Sequence, residues 1–193
     1  MRTTEEINFN ETIPGHMQTL ELEHLDEIIS KISAGGIVVE IGSLYGRSAY
    51  CLAKSNPGIT LYCIDYFNVN LVAIPPYHAS RQTFQYFTKD CPNIVPVQLL
   101  PEQVMPRRLT MVDMVFIDAV HRNPRDWEFI DFWLPKIKPG GILCGHDCSP
   151  AWPDVIVNAA RLEELGYARL PMRPGSSIYS FVIQPAPTSS VAT

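Results

Sequence analysis

The sequence predicts an α/β fold: a mostly parallel sheet, doubly wound with helices on both faces, closed by a C-terminal antiparallel hairpin. Three observations carry this. First, Ile37–Ile41 (IVVEI), Thr60–Ile64 (TLYCI) and Met111–Ile117 (MVDMVFI) are continuous, largely apolar runs, the pattern of strands buried on both faces. Second, segments of helical period separate them, and strands alternating with helices build parallel sheets. Third, Tyr167–Leu170 and Ser177–Ile183 flank Arg173-Pro174-Gly175, a turn between two short strands.

Taken in order, the elements begin after an acidic lead. Residues Met1–Ile13 carry Glu5, Glu6 and Glu11 and no apolar core, so no signal peptide is expected. Leu25, Ile28, Ile29 and Ile32 recur at helical spacing, predicting an amphipathic helix that ends at Gly35-Gly36. Residues 1–36 thus form an N-terminal cap and helix. IVVEI runs into the turn Gly42-Ser43-Leu44-Tyr45-Gly46, then a short helix (RSAYCLAKS) closed by Asn56-Pro57-Gly58. TLYCI ends at Asp65. Tyr66–Tyr77 has no clear period and contains Pro75-Pro76; a loop this long inside a domain is more often functional, so it is the expected substrate lid. A helix over Ala79–Lys89, a strand at Ile94–Gln98 and a Pro-punctuated helical piece at Pro101–Leu109 lead to MVDMVFI, which ends at Asp118. A helix over Pro124–Ile137 is expected to stop at Lys138-Pro139-Gly140-Gly141, with a strand at Ile142–Gly145 ending at His146-Asp147. The helix Pro153–Leu165 stops at Gly166. A single domain over 1–183 results, with 184–193 a polar, flexible tail.

Composition agrees with one well-cored domain. The chain has 193 residues, 46% hydrophobic and 18% charged, which excludes intrinsic disorder. A net charge of −5 leaves no electrostatic footprint for phosphate backbones, so no nucleic-acid partner is expected. No apolar run is long enough for a membrane span. Cys51, Cys63, Cys91, Cys144 and Cys148 are odd in number and lack a CxxC, as expected of reduced thiols in a cytoplasmic protein.

Ligands of open parallel sheets bind beyond the carboxyl ends of the strands. Four polar clusters fall there: Gly42–Gly46, Asp65, Asp118 and His146-Asp147. Glu40-Ile41-Gly42-Ser43-Leu44-Tyr45-Gly46 has the form E-x-G-x-x-x-G. Its glycines admit close backbone approach, and the following helix offers free N–H groups to an anion. It is not the dinucleotide fingerprint G-x-G-x-x-G, because Leu44 replaces the second glycine. Asp65 stands where a carboxylate accepts ribose hydroxyls. The plainer alternative is a glycine turn that any α/β domain needs. Asp118 and His121 lie just past a strand end, and His121 is the candidate general base, its ordinary pKa near 6.5 suiting neutral pH; the alternative is a histidine bonded locally in its loop. Trp127, Phe129, Ile130, Phe132 and Trp133 are most simply core. Asp118 with Asp147 could hold Mg²⁺ through oxygens. Cys144, His146 and Cys148 form a conceivable zinc set, although Cys144 fits better as a buried hydrophobe.

EIGSLYGRSAYCLA, Asp65 and the KPGG-strand together resemble the class I S-adenosylmethionine-dependent methyltransferases, from about Ile37 to Gly166. FIDAVHRNPRDWEFIDFWLPKIKPGGILCGHD resembles more narrowly the subgroup with an IDxxH…PGG…HD pattern, related to macrolide-sugar O-methyltransferases and cephalosporin-hydroxylase-like proteins. The resemblance implies a Rossmann-like, seven-stranded sheet and S-adenosyl-L-methionine as cofactor. It implies that Glu40, Gly42, Ser43 and Gly46 surround the methionine part, with Arg47 and Ser48 near its carboxylate. Asp65 would hold the ribose, Tyr66 would lie beside the adenine, and Asp118 would border the cofactor. His16, Met17 and Gln18 would fold over it. The chain departs from the family at Leu99-Leu100-Pro101-Glu102, where a polar pair is usual near the adenine; backbone groups or Glu102 are the alternative contacts there. It departs again at His146-Asp147, where related metal-dependent enzymes carry an acidic or amide pair. A Mg²⁺ or other divalent site would therefore comprise Asp118, Asp147 and His146. The implied reaction is O-methylation of a small-molecule acceptor with His121 and Asp118 as catalytic residues, in a chain that could form a homodimer. A cofactor-binding module without catalysis and an NAD-linked enzyme are the alternatives.

Overall fold

The computed structural model describes residues 12–68, 73–74, 77–98, 109 and 111–184. Helix α1 (Thr19–Ile29) precedes β1 (Ile37–Ile41), α2 (Arg47–Ser55) and β2 (Thr60–Asp65). Two-residue strands β3 (Ala73–Ile74) and β4 (Tyr77–His78) pair with each other, and α3 (Arg81–Thr88) leads to β5 (Ile94–Gln98). Then come β6 (Val112–Ile117), α4 (Arg125–Trp133), β7 (Ile137–Gly145), α5 (Pro153–Glu164), β8 (Ala168–Arg169) and β9 (Tyr179–Val182).

Seven strands form one sheet in the order β5-β2-β1-β6-β7-β9-β8. The first five are parallel, whereas β9 runs antiparallel to β7 and β8 to β9. This is the predicted doubly wound sheet with its closing antiparallel pair. Strand residues alternate between two cores. Val38, Met114, Phe116, Ile142 and Cys144 pack on the side of α1, α2 and α3, and Val39, Ile41, Val115, Ile117 and Leu143 on the side of α4 and α5. Because β1 and β6 are central and covered twice, their sequences could be apolar at every step. β5, at one edge, carries Pro96, which cannot serve a strand on both sides.

The structure corrects several expected boundaries. α4 ends at Trp133, not Ile137, because Pro135 lacks the N–H that would continue the ladder, and a 3₁₀ turn (Leu134–Lys136) follows. Lys138-Pro139-Gly140-Gly141 is not a stop before β7 but an irregularity inside it: Val112 pairs with Ile137 and Met114 with Ile142. Lys138 Nζ reaches both oxygens of Asp113 at 2.8 and 2.9 Å, and Asp113 also accepts the Ile37 N–H at 2.7 Å, tying β1, β6 and β7 at the end opposite the polar clusters. α3 starts at Arg81 because Ser80 caps it, accepting the Thr83 N–H at 3.1 Å. The expected lid contains the β3–β4 pair; its residues 69–72 and 75–76, the helical piece Pro101–Leu109 apart from Leu109, Glu102, and the chain ends 1–11 and 185–193 lie outside the described residues. Among the described residues no helix is long and apolar enough to cross a membrane.

Candidate active site

The first half of the site is the turn after β1. The Gly42 N–H extends the ladder to Ile64, and Gly42 has φ +87°, the left-handed region. A Cβ there would meet the Asp118 carbonyl oxygen at 2.1 Å, so this glycine lets the ends of β1 and β6 touch. Gly46 (φ +91°) precedes α2, where a Cβ would meet Thr88 and Phe84. Between them Leu44 also has positive φ (46°), and Phe67 and Asp147 share that conformation at the ends of β2 and β7. Strained residues of this kind concentrate at functional sites.

Asp65 holds the strained turn. Its Oδ2 accepts the N–H groups of Ser43 and Leu44, both at 2.8 Å, and its Oδ1 accepts the Phe67 N–H at 2.7 Å. Glu40 lies fully buried beneath α2, accepting the Ser48 hydroxyl at 2.5 Å. Burial pushes its carboxyl up to about 7, against the opposing pull of the Ser48 hydroxyl. Glu40 Oε2 and Ser43 Oγ are buried without hydrogen-bond partners among the described residues.

The second half is built from the ends of β6 and β7. Asp118 donates its N–H to Ile41, and His146 donates its own to Ile117, so both residues continue the sheet. His121 Nε2 stands 3.1 Å from Asp147 Oδ2 and 3.7 Å from Asp118 Oδ1. His146 faces the same pair from another side, with Nδ1 3.3 Å from Asp118 Oδ1 and 3.6 Å from Asp147 Oδ1; its Nε2 lies 3.0 Å from Glu21 Oε2. Burial disfavours charge on His146, but the carboxylates of Asp118 and Glu21 beside its two ring nitrogens prevail and hold its pKa at about 10. Glu21 answers in kind: burial would raise it, yet the facing His146 ring and the bonds from Ser177 and Gln18 bring it to about 2.

One cavity of 690 Å³ joins the halves. Gly42, Ser43, Ser48, Asp65, Tyr66, Asp118, His121, His146 and Asp147 line it, as do His16 and Met17 from the N-terminal segment. Of the sequence-predicted site residues, Glu40 and Gly46 stand behind its wall, and Gln18 instead donates its N–H to Glu21 Oε2 at 2.9 Å. Among the described residues, the group able to offer a cation ligand atoms within 4.8 Å of one another is Asp118, His121 and Asp147. His146, expected in that set, is turned between Glu21 and the two aspartates, and the cysteines, none of them in a disulfide, stay outside it. Trp152, missed in the sequence, lines the cavity with its ring 4.9 Å from that of His121; its place five residues beyond Asp147, in a strand-end loop, was the available signal. Glu21 was also missed; its place four residues before Leu25 and seven before Ile28, an acid on the apolar stripe of that helix, was the available signal.

A family profile described as a methyltransferase domain matches residues 39–148. None of the curated proteins matches the sequence. Among solved structures, a candidate caffeoyl-CoA O-methyltransferase from Staphylococcus aureus is 15% identical, with 96% of this chain and 93% of that chain covered and a TM-score of 0.66. The O-methyltransferase NovP is 12% identical, with 95% and 89% covered and a TM-score of 0.66. An O-methyltransferase from Bacillus cereus in complex with SAH is 17% identical, with 93% and 90% covered and a TM-score of 0.58. At these identities the likeness is one of fold. The profile spans more than half of the chain, from β1 through the His146-Asp147 strand end, and the chain belongs to the S-adenosylmethionine-dependent methyltransferases of that domain family.

Proposed function

We propose that this methyltransferase acts on a hydroxyl oxygen of a small molecule, with His121 as general base. The observation that supports it most is the His121–Asp147–Asp118 group lining the same cavity as the glycine turn. When bound, S-adenosylmethionine supplies a methyl group already activated on a sulfonium. The chain's task is then proximity, alignment and exclusion of water. Gly42 and Ser43 line the space for the methionine part, Arg47 and Ser48 start α2 beside it, Glu40 and Gly46 support the turn from behind, and the unpaired Ser43 Oγ leaves polar capacity there. Asp65 spends three acceptor positions on the turn; since a carboxylate offers about four, one remains for a ribose hydroxyl. Tyr66 is the residue for the adenine, and Asp118 borders the cofactor.

A proton on His121 Nε2, shared with Asp147, leaves Nδ1 as the nitrogen that takes the acceptor's proton. The hydroxyl oxygen would keep the electron pair that bonds to the methyl carbon, the carbon–sulfur bond breaking with its pair left on the neutral thioether. His121→Ala is expected to retain S-adenosylhomocysteine binding and lose about 10²–10⁴-fold in turnover across a panel of phenols, sugars and aliphatic alcohols. Full turnover in that variant removes His121 as the base. Net charge −5 disfavours a nucleic-acid acceptor, and five cysteines with no disulfide among them fit a reducing, cytoplasmic setting.

A second reading draws on the closeness of the ligand atoms of Asp118, His121 and Asp147. These oxygens and the imidazole would hold a divalent cation such as Mg²⁺, which would lower the acceptor's pKa directly. Turnover lost on chelation and restored by Mg²⁺ supports that reading; turnover indifferent to chelator supports the metal-free base.

A further inference from the structure

Glu21 does not line the cavity; it stands behind His146, on α1, and is buried. Its Oε2 accepts the Gln18 N–H, a helix-capping bond that a solvent-exposed glutamate makes equally well. Capping therefore gives no reason for burial. Two further elements hold it in place. From the β9 side, Ser177 donates its hydroxyl to Oε1 at 2.5 Å and its N–H at 3.3 Å. From β7, His146 Nε2 faces Oε2 at 3.0 Å. Taking such groups out of water costs several kcal/mol each before their attraction offsets it. Beyond His146 come the two aspartates, and beyond them His121. The contacts thus form an unbroken series from α1 to the candidate base.

We propose that Glu21 is a positioning residue for His121: its carboxylate, 3.0 Å from the outer nitrogen of His146, fixes the ring that orients the Asp118 and Asp147 carboxylates against His121. An imidazole's outer torsion is broad and close to two-fold, so a ring held at one nitrogen alone can swing or flip. Held at both, it presents Nδ1 to Asp118 and Asp147 and leaves Asp147 Oδ2 aimed at His121. The same glutamate anchors the start of α1, whose preceding residues His16 and Met17 line the cavity. The N-terminal cover and the catalytic pair thereby share one anchor. This rests on reading the crevice as the site of methyl transfer.

The test is ring-nitrogen NMR of histidine-labelled full-length protein at one pH, with thermal unfolding and S-adenosylhomocysteine calorimetry on the same samples. Glu21→Ala is expected to shift both ring nitrogens of His121, which residue 21 does not touch. Glu21→Gln, which can still accept from Ser177 and keeps an oxygen facing His146, is expected to restore most of the wild-type signal. A role in stability alone would lower the melting temperature and leave the His121 resonances in place, and that result overturns the proposal. Should Glu21→Ala not fold, Ser177→Ala loosens Glu21 while keeping its carboxylate; a shift of His121 supports the proposal, and unmoved resonances overturn it. S-adenosylhomocysteine is expected to bind wild type, and to bind Glu21→Ala more weakly because His16 and Met17 lose their anchor. Its failure to bind wild type contradicts the cofactor reading, while the His121 signals still decide the role of Glu21.

Discussion

Gly42→Ala perturbs the point on which both halves of the site depend. Alanine at φ +87° costs about 1–2 kcal/mol in the left-handed region. Its Cβ would lie 2.1 Å from the Asp118 carbonyl oxygen, 2.7 Å from its carbon and 2.8 Å from Ala119 Cα, all backbone atoms that cannot rotate away. The ends of β1 and β6 must part by about an ångström, stretching the bond from the Asp118 N–H to Ile41. Overpacking of this kind adds about 1–3 kcal/mol, for a total of about 2–5 kcal/mol. In a chain of this size that lowers the melting temperature by about 4–20 °C. Gly35→Ala is the control: its φ is +83°, but no atom lies within 4 Å of the added Cβ, so it should cost the conformational part alone. Differential scanning calorimetry measures both variants, and S-adenosylhomocysteine titration of Gly42→Ala should show weakened binding, since Asp118 and the turn move apart. Equal melting temperatures for the two variants, or unchanged affinity in Gly42→Ala, would refute the reasoning.

Asp65→Ala removes the acceptor of three backbone N–H bonds that hold Leu44 and Phe67 at positive φ. It should cost about 2–4 kcal/mol, below the sum of three separate charged bonds because the site is partly solvated, and should weaken S-adenosylhomocysteine in calorimetry. The Glu21–His146 pair gives stability a pH dependence of two signs. Glu21, lowered from 4.5 to about 2, contributes fully above pH 4.5 and loses that contribution as pH falls toward 2. His146, raised from 6.5 to about 10, contributes fully below pH 6.5 and loses it as pH rises toward 10. Urea unfolding across pH should therefore show a plateau between 4.5 and 6.5 from this pair, and Glu21→Gln should flatten the acid limb relative to wild type. An unaltered acid limb in that variant would count against the pair.

Much of the fold was legible because buried strands announce themselves. IVVEI and MVDMVFI could only be central, and with their neighbours placed, Gly42, Asp65, Asp118 and His146-Asp147 had to emerge at one end of the sheet. What eluded the sequence was contact across it. His121 and Asp147 lie 26 residues apart and meet because β6 and β7 are adjacent in parallel, a fact of strand order rather than of local pattern. Glu21 lies four residues before Leu25 and seven before Ile28, on the apolar stripe of the helix, so its burial was legible in the spacing; its partners His146 and Ser177 were not, because they come from the ends of distant strands. Lys138-Pro139-Gly140-Gly141 carries every signal of a chain break, yet the pairing of β7 with β6 carries the chain through it. Asp65 was legible by position, but its grip on the turn was not, because backbone N–H groups leave no trace in a sequence.

The central claim is that this crevice binds a sulfur nucleoside beside His121. Calorimetric titration of S-adenosylhomocysteine into the wild-type protein tests it most directly, with NAD as the comparison. The account predicts one site per chain for S-adenosylhomocysteine, weakened in Asp65→Ala and retained in His121→Ala, with no heat of binding for NAD. Binding of NAD in place of S-adenosylhomocysteine, or an affinity for the latter indifferent to Asp65, would contradict it.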